Sequence, residues 1–132
     1  MRSMTNRVIL GLLAGFVLTL GFARAENSAS DQSRAVAALQ EDLKTDPNNA
    51  ELWLHLGFAY RKLNQIEDAQ HAFEKAAALS PTGAKDANFM LGLIYESKNM
   101  KAEALRAWQN YLTVEKDPER RQMAEKHIHH LS

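Results

Sequence analysis

The stretch WLHLGFAY, Trp53 to Tyr60, sets three aromatic side chains, two leucines and a glycine in eight residues, with no catalytic arrangement among them. On a helix turning 100° per residue, Trp53, Leu56, Gly57 and Tyr60 fall on one stripe. The glycine sits on that stripe where a neighbouring helix can approach closely. The spacing predicts a helix packed along this stripe, and the next question is what packs on it.

Downstream, Ala69, Phe73 and Ala76 recur at four and three, and Pro81 follows. The pattern W-x2-L-G-x2-Y, A-x3-F, P then returns thirty-five residues later, with Leu91-Gly92, Tyr95, Ala104 and Trp108 in register with Leu56-Gly57, Tyr60, Ala69 and Phe73. These residues resemble the tetratricopeptide repeat, whose unit of 34 residues is a pair of antiparallel helices. One extra residue falls in SPTGAKD between the two units. The second unit departs from the first: Asn88 stands in the place of Trp53, Tyr111 replaces the small Ala76, and Pro118 comes late. Stepping back 34 residues from Ala69, Phe73 and Pro81 reaches Ala35, Leu39 and Pro47, the second helix of an incomplete first unit. At the other end, PERRQMAEKHIHHLS places Met123, Ala124, Ile128 and Leu131 on one side, as expected for a helix that caps a stack.

The resemblance therefore implies an all-α fold, a short right-handed superhelix of antiparallel helix pairs. Its parts are a half repeat at 34–47, repeats at 50–83 and 85–118, and a capping helix at 118–131, together a domain over 34–131. Six helices are expected, near 32–45, 50–63, 66–79, 85–98, 101–115 and 118–131. Pro47, Pro81 and Pro118 all lie between periodic segments, where helix boundaries belong. No alternating β-branched run argues for a strand.

Residues 1–25 follow another pattern: Arg2 and Arg7, an apolar run, then Ala23-Arg24-Ala25. That order is a secretory signal peptide with cleavage expected after Ala25. The localisation it predicts is the periplasm of a bacterium. The alternative is an inner-membrane anchor formed by uncleaved residues 8–23, although sixteen residues fall short of the ~20 that span a bilayer as a helix. Residues 26–33, ENSASDQS, are polar and aperiodic and are expected to be a flexible linker. Without Arg2, Arg7 and Arg24, thirteen Lys and Arg stand against sixteen Asp and Glu, a net charge of −3. Such a chain has no electrostatic footprint for nucleic acid. Cysteine is absent, so neither disulfides nor thiol chemistry contribute.

Function is expected in apolar residues that the helix pairing does not use. Leu54 and Phe58 lie well round the helix from the Trp53–Tyr60 stripe, and Phe89 and Leu93 repeat the arrangement one unit on. By resemblance to the family these positions face a concave groove that binds partner segments. Leu54, Phe58, Arg61, Phe89, Leu93 and Glu96 would line it, and the phenylalanines would be dispensable for the stack. If the flanking helices fill the groove, the same residues are ordinary core. A carboxylate-recognising groove is disfavoured, because the matching positions are mainly apolar.

His127 and His130 share a helical face, but two imidazoles without a third ligand read as solvated side chains of the capping helix. No nucleophile–base arrangement and no phosphate-cradling glycine loop is present, so neither an enzyme nor a cofactor is expected. The sequence thus predicts an exported adaptor or assembly factor that binds an apolar or amphipathic protein segment. It makes no contact with nucleic acid, nor with membrane once the signal is cleaved. Similar small periplasmic proteins serve c-type cytochrome maturation or envelope-complex assembly. The competing expectation is a self-associating structural subunit.

Overall fold

The computed structural model describes residues 28–81 and 83–132. Residues 1–25, expected to be a signal peptide, and the first two residues of the expected linker lie outside the described residues. All the regular structure described is helical, in six segments: α1 over 28–45, α2 Ala50–Lys62, α3 Ile66–Leu79, α4 Lys85–Ser97, α5 Lys101–Val114 and α6 Pro118–Leu131. The expected boundaries hold to within a residue except at the start of α1. Residues 28–33, assigned from sequence to the linker, are helical. Local bonds account for this: Ser33 Oγ donates to the Ala29 carbonyl at 3.0 Å and Arg34 pairs with Asp31 at 2.6 Å, so this exposed turn extends α1 with short polar side chains.

Side-chain caps start α2 and α6. Asn49 caps α2 by accepting from the N–H groups of Glu51 and Leu52, and Asp117 caps α6 by accepting from Arg120 N–H, with Pro118 in the first helical turn. The turns inside both helix pairs use the same device. Asn64 and Asn99, thirty-five positions apart, both adopt left-handed backbone with φ of 59° and 57°. Asparagine tolerates that region better than most residues with a side chain. The following N–H groups, of Gln65 and Met100, then reach back to the carbonyls of Tyr60 and Tyr95.

The core runs as three consecutive clusters and has no single centre. Leu43, Leu56 and Ala72 join α1, α2 and α3. The central cluster, with Ala69, Phe73, Ala87, Leu91 and Ala107, joins α3, α4 and α5. Trp108, Tyr111 and Ala124 join α5 to α6. This neighbour-to-neighbour burial is the pattern of stacked repeats. The alanine and aromatic positions of the second helices carry it, since Ala69, Phe73, Ala104 and Trp108 are fully buried. Trp53 and Tyr60, expected as core, are only half-buried, because the lone helix α1 covers them from one side.

Within each pair the first helix presents a glycine to the aromatic ring of the second. A Cβ added at Gly57 would lie 2.6 Å from the Phe73 ring, and one at Gly92 would lie 2.6 Å from the Trp108 indole. The helices are therefore closer than any side chain would permit, and both repeats are built on the same contact.

Candidate functional site

The first helices α2 and α4 carry the six residues expected in the groove. Leu54 is half-buried and lines a cleft of about 300 Å³ together with Ala50, Ser80, Gly83 and Ala84, at the junction of α2 with the turn before α4. Phe58 is half-buried, its ring edge-on to Phe73 at 5.2 Å. Phe89 meets Trp108 edge-on at 5.5 Å and Tyr111 at 5.6 Å. Leu93 packs beside the cluster that α5 makes with α6. Arg61, in the last turn of α2, is exposed.

All four apolar residues thus present one edge to solvent and lean the other on the core. The phenylalanines, expected from sequence to be dispensable for the stack, each pack on the buried aromatic of the adjoining second helix.

Glu96 is engaged inside the molecule. Its Oε1 accepts from Trp108 Nε1 at 2.6 Å, and both its oxygens lie about 3 Å from His127 Nδ1. The His127 ring stacks on Trp108 with centroids 4.4 Å apart. One carboxylate therefore ties α4, α5 and α6 together, and His127 is not the solvated imidazole expected from sequence. His130 is exposed, as expected. Beside this tie, Glu96, Met123, Lys126, His127 and His130 line a cleft of about 330 Å³ between α4 and α6.

The helix pairing, the glycine–aromatic contacts and the capped last helix agree with the family match. Residues 50–82 and residues 86–114 each match a family model described as tetratricopeptide repeat. The chain is a tetratricopeptide-repeat protein. Such repeats generally bind protein partners. It is 43% identical over 54 residues, 41% of its length, to the formate-dependent nitrite reductase complex bifunctional subunit NrfFG of Haemophilus influenzae, of which the match covers 14%. It is 35% identical over 63 residues, 48% of its length, to Superkiller protein 3 of Saccharomyces cerevisiae, of which the match covers 4%. The tetratricopeptide-repeat chain therefore spans only a small part of these curated relatives.

One functional-looking group was missed from sequence. The Glu115 side chain is almost wholly buried where the second tetratricopeptide repeat meets α6. It accepts from Asp117 N–H at 2.9 Å, Lys116 N–H at 2.8 Å and Tyr111 Oη at 2.7 Å, and pairs with Lys85 at 3.2 Å. The Asp117 N–H first, then the Tyr111 hydroxyl, Lys85 and the Lys116 N–H outweigh burial and hold its carboxyl down at about 2. Burial and the adjacent carboxylate push the Tyr111 hydroxyl up to about 12. The departure of Tyr111 from a small residue was visible in the sequence. Its cause, a hydroxyl needed to hold a buried carboxylate, was not.

The two repeats also share a feature on the other side of their first helices. Gln40, Trp53, Leu56, Tyr60, Asp68 and His71 line a cleft of about 350 Å³. One unit on, Glu74, Asn88, Leu91, Tyr95, Glu103 and Arg106 line one of about 320 Å³. The tyrosines mark the correspondence, since Tyr60 Oη accepts from Gln40 at 2.7 Å and Tyr95 Oη donates to Glu74 at 2.6 Å.

Proposed function

We propose that this tetratricopeptide-repeat protein is an adaptor that holds an apolar or amphipathic segment of another protein along the face built by α2 and α4. The observation that carries this reading is the row of half-buried apolar side chains, Leu54, Phe58, Phe89 and Leu93, with one edge in solvent and the other fixed by the core. Rigidly seated apolar edges bind with little loss of side-chain freedom, and exposed Arg61 would orient the segment more than tighten it. Glu96, already bonded to Trp108 and His127, contributes to the shape of the groove end and not a free charge.

Assembly of a respiratory or envelope complex is the setting we favour, with c-type cytochrome maturation ahead of other envelope assembly. The likeness to a protein named as a subunit of a formate-dependent nitrite reductase complex supports it. Export of the chain to the periplasm rests on the basic–apolar–small order of residues 1–25. A mature N-terminus at Glu26 in the periplasmic fraction is the expected outcome, whereas a full-length membrane-pelleted form means that residues 8–23 are an anchor.

The adaptor reading is tested by placing a photo-crosslinking residue at Arg61 in cells. A crosslink to a separate protein, lost when Phe58 and Phe89 are changed to serine at a temperature where the variant is folded, is the expected result. Crosslinks between copies of this chain alone would put the self-associating subunit in its place.

A further inference from the structure

The cleft on the far side of α4 from Phe89 and Leu93 has a chemistry that the stack does not require. In the first repeat the corresponding position is Trp53, whose indole N–H is satisfied by the Pro47 carbonyl at 2.8 Å. In the second repeat it is Asn88, only 2% exposed. Its Nδ2 donates to the Ala84 carbonyl at 3.3 Å, which fixes the amide orientation because a carbonyl only accepts. That carbonyl already accepts from the Asn88 backbone N–H at 3.1 Å, so the fold gains little from the second bond. The side-chain oxygen accepts no hydrogen bond from another described residue, and Asn88 lines the cleft. No buried side-chain polar atom among the described residues lacks a partner, so this oxygen opens onto the cleft, where a ligand donor can take the place of water.

The surroundings change in the same direction between the two clefts. Neutral Gln40 of the first becomes Glu74 in the second, and Glu74 takes its bonds from Tyr95 and Gln70 on a single oxygen, Oε1, leaving Oε2 open. Glu103 makes no hydrogen bond or ion pair with another described residue. Two carboxylates stand against one cation of the lining, Arg106, which is exposed at the rim. The Tyr95 hydroxyl is held well above the usual phenol range, by burial first and then by the hydrogen bond and charge of Glu74, with Glu103 adding to it. Between these polar atoms lie Leu91, Ala77 and Ala107, an apolar strip.

We propose that this cleft receives the cationic side chain of a lysine or arginine from a partner segment. Its alkyl stem would rest on Leu91 and Ala107, and its N–H donors would be shared by Asn88 Oδ1, Glu74 and Glu103. The site lies on the opposite side of α4 from the apolar face and would stand if that face bound nothing.

The test is a titration of the ¹⁵N-labelled full chain with N-acetyl-lysine amide, N-acetyl-arginine amide and, as the uncharged counterpart, N-acetyl-norleucine amide. The expected result is saturable shifts of the Asn88 side-chain amide and of the Leu91, Tyr95 and Glu103 backbone amides with one or both cations, and none with norleucine. The tighter of the two cations identifies the side chain. Glu74→Gln and Glu103→Gln should each weaken binding about tenfold, as loss of a charge-assisted hydrogen bond does. Asn88→Trp, which installs the side chain of the first repeat, should abolish binding; if that variant does not fold, Asn88→Ala serves. Absence of saturable shifts, equal binding of norleucine, or an affinity unmoved by both glutamine variants would overturn the proposal.

Discussion

Gly57 lies so close to Phe73 that a single added carbon would stand 2.6 Å from both Cδ1 and Cε1 of the ring. Phe73 is fully buried and leans on Phe58, so the ring has nowhere to go. Gly57→Ala gains about 1 kcal/mol of helix propensity, yet it should lower stability, because overpacking costs roughly 1–3 kcal/mol and Leu would cost more. Chemical denaturation of Gly57→Ala, Phe73→Leu and the double variant checks this. The double variant should recover part of the loss, and strict additivity would mean that the contact is not what limits the approach of α2 to α3.

Phe58→Ser and Phe89→Ser should each destabilise by about 1–2 kcal/mol, since half-burial of an aromatic ring and an edge-on contact both contribute. Thermal melting of the single variants is the measurement. An unshifted melt would return these rings to the role of free groove residues that sequence suggested.

The Glu115 carboxyl is pulled from 4.5 in the unfolded chain to about 2 in the fold. A carboxyl depressed on folding contributes stability that is present in full above its unfolded value and is lost as pH falls through the folded one. Glu115→Gln should therefore be less stable than the parent at pH 7, with the difference shrinking between pH ~4.5 and ~2. Urea midpoints of both proteins across that range decide it, and a difference independent of pH would show that the carboxylate charge is not what the site holds.

His127→Ala should loosen α6 while leaving α2 and α3 untouched. It removes the ring stacked on Trp108 and one of the two partners of Glu96, whose other bond, from Trp108, remains. Hydrogen exchange read helix by helix should show faster opening confined to residues 118–131, with a loss of roughly 1–2 kcal/mol there. Uniform acceleration across the chain would mean that α6 does not act as a separate cap.

Glu96→Gln makes a sharper case at the same tie. The amide oxygen can still accept from Trp108, so near-native melting is expected, whereas Glu96→Leu strands the buried indole N–H and should cost about 1–3 kcal/mol. If both variants melt alike, the hydrogen bond from Trp108 contributes nothing measurable.

Spacing alone determined the helix pairs and their register, because apolar periodicity and the Gly-to-aromatic interval are properties of one helix and its neighbour in sequence. Trp53, Leu56, Gly57, Ala69 and Phe73, and their counterparts one unit on, stated the fold before any coordinate. Which edges of Leu54, Phe58, Phe89 and Leu93 remain in solvent was decided only by tertiary packing, since periodicity within a helix does not encode how far each side chain leans on the shared clusters, as Phe58 does on Phe73 and Phe89 on Trp108 and Tyr111. The same holds for Glu96, Glu115 and Asn88. Each reads as a polar residue on a helix until partners from two or three helices, or the lack of one, decide whether its charge or amide is held, shared or left facing an open cleft.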